Sequence, residues 1–212
     1  MKKLKKLLLA GYSGRLLLDF ILAYVLLRGN GLLILLLPRF LSSFWTVFFQ
    51  LCYFLGLSVL AFRLRWMKQE DFKPVLKGGY LITNGMLLIM FVSAAVTSLV
   101  GQDVASNQES VLAILEATPV VAFATYLLIA SLSEEVIFRG ILFGLSEIPV
   151  VDIVLTSVLF AIIHQPDNFM VFTTYLLLGL CLGYQRYKVG LGGSMVLHAL
   201  WNLLVLVYTH FV

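Results

Sequence analysis

The uncharged stretches of this chain decide what it can fold into. Phe40 to Phe62 and Gly78 to Gln102 contain no Asp, Glu, Lys or Arg. Each is longer than the roughly 20 apolar residues that a helix needs to cross a bilayer core. Ala117–Ser133, Ile153–Pro166, Asn168–Gln185 and Val189–Val212 are also uncharged, with Arg186 and Lys188 between the last two. Leu16–Leu37 is apolar but holds Asp19, Arg28 and Gly29-Asn30-Gly31, which reads as a turn. At about 20 residues per span the pattern predicts an all-α, polytopic transmembrane helix bundle of about seven spans, with limits of six to eight. The chain has no evident internal repeat or low-complexity linker.

Only 12% of the 212 residues are charged, against about 25% in a soluble domain. Too few charges remain to coat a water-soluble globule. A soluble enzyme, a disordered tail and a nucleic-acid-binding domain are poor fits. The net charge of +4 is explained by where the basic residues stand. Lys2, Lys3, Lys5, Lys6 and Arg15 precede the first run. Arg63, Arg65, Lys68, Lys73 and Lys77 lie between the second and third. Basic loops flanking apolar runs face the cytoplasm. The N-terminus and the Arg63–Lys77 loop are therefore expected inside, with the Gly101–Glu116 loop (Asp103, Glu109, Glu116) outside and Arg186 and Lys188 inside again. Arg28 and Arg39 are discordant, which suggests that the first span begins earlier. The basic and apolar start resembles a signal peptide, but Arg15 and Asp19 follow with no small-residue cleavage site. It reads as an uncleaved cytoplasmic lead-in. Cys52 and Cys181 lie inside apolar runs and read as free buried thiols. Trp66, Tyr80, Tyr184 and Tyr208 read as interface belts, as does His210 near the C-terminus. Phe44 to Phe54 reads as lipid-facing or packing surface.

A charge at mid-membrane depth costs about 2.5–3.5 kcal/mol on insertion scales, so each one needs a reason. Ser133-Glu134-Glu135-Val136-Ile137-Phe138-Arg139-Gly140 follows an uncharged run. A helix from Pro119 to about Glu147 would span roughly 43 Å and put both glutamates near its middle. Two carboxylates there must face a polar cavity. Glu135 and Arg139 are four apart and can pair, whereas Glu134 points about 100° away. Glu135 is thus held by Arg139, and Glu134 is left for chemistry. The bland alternative is one structural ion-pair cluster. His164 ends the run beginning at Phe160. His198 and Asn202 are four apart in the last run and share a face. Counted from the cytoplasmic side, all three elements reach similar depths of roughly 12–20 Å. They bring together a base, an orienting group and hydrogen-bond donors, which water attack on a carbonyl requires.

Glu134-Glu135-x-x-x-Arg139, Phe160-x-x-x-His164 and His198-x-x-x-Asn202 resemble, in order, the three motifs of the CAAX-protease and bacteriocin-processing (CPBP, Abi) family of intramembrane proteases. The resemblance covers roughly Val111 to Tyr208. It divides the chain into N-terminal helices, 1–110, with no motif, and a catalytic helix bundle, 111–212. It implies an endopeptidase whose membrane-buried site opens to the cytoplasm. Glu134 and His164 would activate water, His198 and Asn202 would stabilise the oxyanion, Glu135 and Arg139 would support them, and Phe160 would sit at the substrate. The family is expected to carry the label metalloprotease. Here His-Glu-x-x-His is absent, while Glu134, His164 and His198 remain candidate ligands for a divalent metal such as zinc. Metal-free glutamate chemistry is the preferred expectation.

Expected partners are the lipid bilayer and a peptide or protein: a bacteriocin or pheromone precursor, or a prenylated C-terminus. No nucleic acid is expected. Two other functions compete. The first is bacteriocin self-immunity, or a scaffold for another membrane protein, without catalysis. The second is a transporter or proton-coupled channel, disfavoured by the lack of inverted repeats and of paired broken helices. The expected location is a bacterial plasma membrane.

Overall fold

The computed structural model describes residues 2–72, 75, 81, 84–89, 91, 113–146 and 148–211, with side chains from 14 to 207. Most of the expected third span, Gly78–Gln102, and the acidic loop after it lie outside the described residues. So do Lys73, Lys77, Glu147 and the side chains of Tyr208 and His210.

The described residues form helices and no strands. The long ones are α1 (Lys2–Leu36), α2 (Ser43–Arg63), α3 (Val120–Glu135), α4 (Pro149–Ile163), α5 (Phe169–Val189) and α6 (Leu191–Phe211). A π-helical turn, Val136–Ile141, continues α3. The protein is an integral membrane protein built as a helical bundle. Among the described residues, Gly14–Arg39, Ser43–Arg63 and Val120–Ile141 are long and apolar enough to cross a membrane. Large apolar side chains such as Leu18, Phe44, Phe48, Leu55 and Val150 face outward, as lipid contact requires.

α1 corrects the expected first span. It is one continuous helix through Gly29-Asn30-Gly31, with no turn. Gly29 and Asn30 serve packing. A Cβ on Gly29 would lie 2.7 Å from the Tyr53 hydroxyl oxygen on α2, and that hydroxyl donates to the Leu26 carbonyl. The Asn30 side chain, fully buried, donates to the Tyr126 carbonyl on α3 at 3.0 Å. Glycine and asparagine here allow three helices to meet. Arg28 keeps its guanidinium on the Tyr24 hydroxyl one turn away, at 2.7 Å.

Two further expectations are corrected. Cys52 is exposed, because α2 turns Thr46, Gln50, Leu57 and Ala61 inward and Cys52 lies on the opposite side. Trp66 is buried and not at an interface. The loop after α2 folds under the bundle, and a Cβ on Gly140 would lie 2.8 Å from the Trp66 carbonyl oxygen.

α4 and α5 pack closely because Gly179 and Gly183 face α4. A Cβ on Gly179 would lie 2.9 Å from Ser157 Cα, and one on Gly183 3.1 Å from an Ile153 side-chain carbon. This is the small-xxx-small spacing that lets membrane helices approach without a hydrophobic drive. α4 has only 15 residues, or roughly 22 Å, short of a hydrocarbon core about 30 Å thick. It starts on Pro149, fits Asp152 to the Ser146 amide at 3.0 Å, and ends where Gln165 takes a φ of 49°. Pro166 follows and cannot continue a helix.

Gly179→Ala should therefore lower thermal stability in detergent by about 1–3 kcal/mol. Gly56→Ala, within α2 with nothing inside 4 Å of the added carbon, should be neutral or stabilising by up to about 1 kcal/mol. Equal behaviour of the two variants would contradict this account of α4–α5 packing.

Candidate active site

At the junction of α3 and its π turn lies a fully buried ion pair. Arg139 Nη1 donates to Glu135 Oε1 at 3.0 Å, and both side chains are 0% exposed. Arg139 Nη2 donates to the Gly179 carbonyl at 2.9 Å. Its guanidinium carbon lies 5.0 Å from the centre of the Phe160 ring. The Arg139 carbonyl accepts from Arg186 Nε at 2.8 Å, and Arg186 Nη1 stands 3.4 Å from Asp71 in the loop below. Glu135, the Gly179 carbonyl and the Phe160 ring face reduce the penalty of burying the Arg139 guanidinium, whose Nε has no hydrogen-bond partner among the described residues. The π turn closes with the Leu142 amide on the Ile137 carbonyl at 3.1 Å. The helix ends at Ile141, short of the expected Glu147, so the glutamates lie nearer its C-terminal end than the sequence suggests. π turns of this kind recur at functional sites.

His198, on α6 and 3% exposed, points Nδ1 at Glu135 Oε1 across 3.0 Å. A carboxylate oxygen only accepts, so Nδ1 carries the proton. His164 closes α4, and its Nδ1 lies 2.7 Å from the Phe160 carbonyl. That carbonyl is among the last four of a helix, which lack helical partners. It also only accepts, so Nδ1 donates here too. Both rings therefore turn Nε2 the same way. Each Nε2 stands 3.9 Å from the same atom, Glu134 Oε2. Glu134 and His164 are 18% and 15% exposed at their side chains, unlike the sealed Glu135 and Arg139. The reachable carboxylate is Glu134.

Asn202 lies one turn after His198, and its side-chain nitrogen donates to Ser131 Oγ on α3 at 2.8 Å. One of its two N–H bonds is thereby fixed. Phe160, expected at the substrate, is fully buried. Its ring packs on His164 (4.4 Å between centroids), His198 (5.7 Å) and Phe138 (5.4 Å), as a wall between Arg139 and the histidines.

The sequence reading missed Tyr175, whose ring stacks on His164 at 4.2 Å and 23°. A signal existed: Tyr175, Gly179 and Gly183 are spaced by four along α5. It also missed Ser131, and Arg186 as a support of Arg139.

Glu134, His164 and His198 are the donor types that zinc accepts, and both histidines have Nδ1 anchored in the manner of metal ligands. Among the described residues, however, no three His, Cys, Asp or Glu side chains are arranged to hold a metal ion. At 3.9 Å from Glu134 the two Nε2 atoms stand too wide for the trio to close on an ion as placed.

Residues 116–204 match the family model described as type II CAAX prenyl endopeptidase, Rce1-like. That region is similar to the CAAX-protease and bacteriocin-processing family and contains every motif residue named above. No curated protein and no solved structure matches the chain.

Arg139→Met would leave Glu135 buried without its counter-charge, so stability should fall by about 3–5 kcal/mol. Glu135→Leu with Arg139→Met should regain most of that loss in thermal unfolding. A double variant as unstable as the single would contradict a site organised by this pair.

Proposed function

We propose that the protein is an intramembrane endopeptidase in which Glu134 is the general base. The observation that carries this reading is the convergence of His164 Nε2 and His198 Nε2 on Glu134 Oε2, each at 3.9 Å. That separation is too long for a direct hydrogen bond and suits a bridging water. Glu134 takes the water's proton as its oxygen attacks the scissile carbonyl. His164 orients the water through the lone pair on Nε2. Glu134 then returns the proton to the leaving amine.

His198 serves the oxyanion. In this reading His198, held by Glu135 at Nδ1, donates Nε2–H to the developing oxyanion as an imidazolium. The free N–H of Asn202 is the second donor. Such preorganised donors act strongly where water is excluded. Glu135 and Arg139 position His198 and touch no substrate. Substrates of the chemistry named in the family description, a peptide bond near a prenylated C-terminus, and bacteriocin or pheromone precursors are the candidates. Chemistry without a metal is part of this reading.

Purified protein in lipid nanodiscs, incubated with a prenylated CAAX peptide and with precursor peptides, tests it. Wild type should cleave at least one. Glu134→Gln and His164→Ala should each lose about 10²–10⁴-fold in rate while remaining folded. Cleavage should survive dialysis against a chelator. Wild-type rates in Glu134→Gln would overturn the base assignment. Activity lost on chelation and restored by zinc would overturn the metal-free step.

A further inference from the structure

A second cavity, of about 520 Å³, lies behind the α3–α6 wall that carries Glu134 and His198. Leu57, Ala61 and Phe62 of α2 line it, with Met67 of the loop, Val136 of the π turn and Met195 of α6. The lining is almost wholly apolar, and its size is in the usual range for sites that enclose a small molecule, about 300–1,000 Å³. Leu132 of α3 and Val136 of the π turn face it, roughly opposite to Glu134 on the helical wheel. It is therefore separate from the candidate active site.

The residues next in sequence to its lining point to the occupant. Arg63 directly follows Phe62, Lys68 directly follows Met67, and Arg65 lies between them. All three are exposed. None forms an ion pair with a described residue. Arg65 is held at a φ of 63°. Basic clusters just beyond a membrane helix attract anionic lipid headgroups. We propose that this cavity holds one acyl chain of an anionic phospholipid from the leaflet on the side of the basic loop, with its headgroup on Arg63, Arg65 and Lys68. The lipid would brace α2 against α3 and α6, independently of the protease reading.

The test uses full-length protein in vesicles of equal phosphatidylglycerol and phosphatidylcholine. A trace of either lipid carries a photoactivatable group on its acyl chain. Labelling by the phosphatidylglycerol probe should concentrate on the segment from Leu57 to Met67 and at Met195. It should fall by about fivefold for each of Arg63→Gln, Arg65→Gln and Lys68→Gln, while Lys188→Gln leaves it unchanged. Ala61→Phe, which fills the cavity, should abolish it with the melting temperature in detergent retained. If that variant unfolds, the three charge variants decide alone. Equal labelling by both probes would overturn the headgroup assignment. Labelling spread evenly over the lipid-facing Phe44–Phe49 segment, or a peptide recovered from the cavity in place of lipid, would overturn the proposal.

Discussion

The Glu135–Arg139 pair is the constraint around which the second half of the chain is arranged. Removing two charges from water costs several kcal/mol per ion, and their attraction offsets this only when the remaining hydrogen-bonding positions are also filled. The bundle meets part of this demand from four directions, leaving the buried Glu135 Oε2 and Arg139 Nε without a hydrogen-bond partner among the described residues. Gly179 on α5 supplies a carbonyl to Arg139, and Phe160 on α4 supplies a ring face. His198 on α6 supplies an N–H to Glu135, and Arg186 holds the Arg139 carbonyl from below. The pair therefore draws α4, α5 and α6 onto α3. Gly179 illustrates the coupling. Its missing side chain lets α5 approach Ser157, and that approach brings its carbonyl within reach of Arg139.

The same pair divides the labour between two adjacent glutamates. Glu135 is committed to Arg139 and His198 and is sealed from solvent. Glu134, one residue earlier, emerges on another face of α3 where both Nε2 atoms point. The tautomers follow from their anchors, because a carbonyl and a carboxylate can only accept. Two histidines on different helices thus both turn Nε2 toward one carboxylate, each at 3.9 Å. A structural ion-pair cluster alone would not require the second carboxylate to remain reachable.

Much of this was legible in the sequence, for physical reasons. Charges are so unfavourable in a span that Glu134, Glu135 and Arg139 stood out, and helical spacing paired the last two. The depth argument brought His164 and His198 to the same level, and the structure places both against Glu134. Less legible were features that depend on packing between distant segments. Gly29-Asn30-Gly31 reads locally as a turn, yet it lies within a continuous helix, where Gly29 and Asn30 meet the neighbouring helices. The end of α3 at Ile141 depends on a π turn that no spacing announced. Trp66 looks like an interface residue until the loop carrying it folds beneath Gly140. Arg186 served topology in the sequence and also holds the Arg139 carbonyl in the structure. The third span's relation to these elements lies outside the described residues.

The central claim is that Glu134 performs chemistry and is not merely part of a buried charge cluster. Comparing the membrane-associated peptides of cells that carry wild-type protein with those of cells carrying Glu134→Gln, at equal protein levels, tests it most directly. The account predicts at least one cleaved peptide that disappears in the variant while its uncleaved precursor accumulates. Identical peptide profiles, with the protein's biological effect intact in the variant, would contradict it.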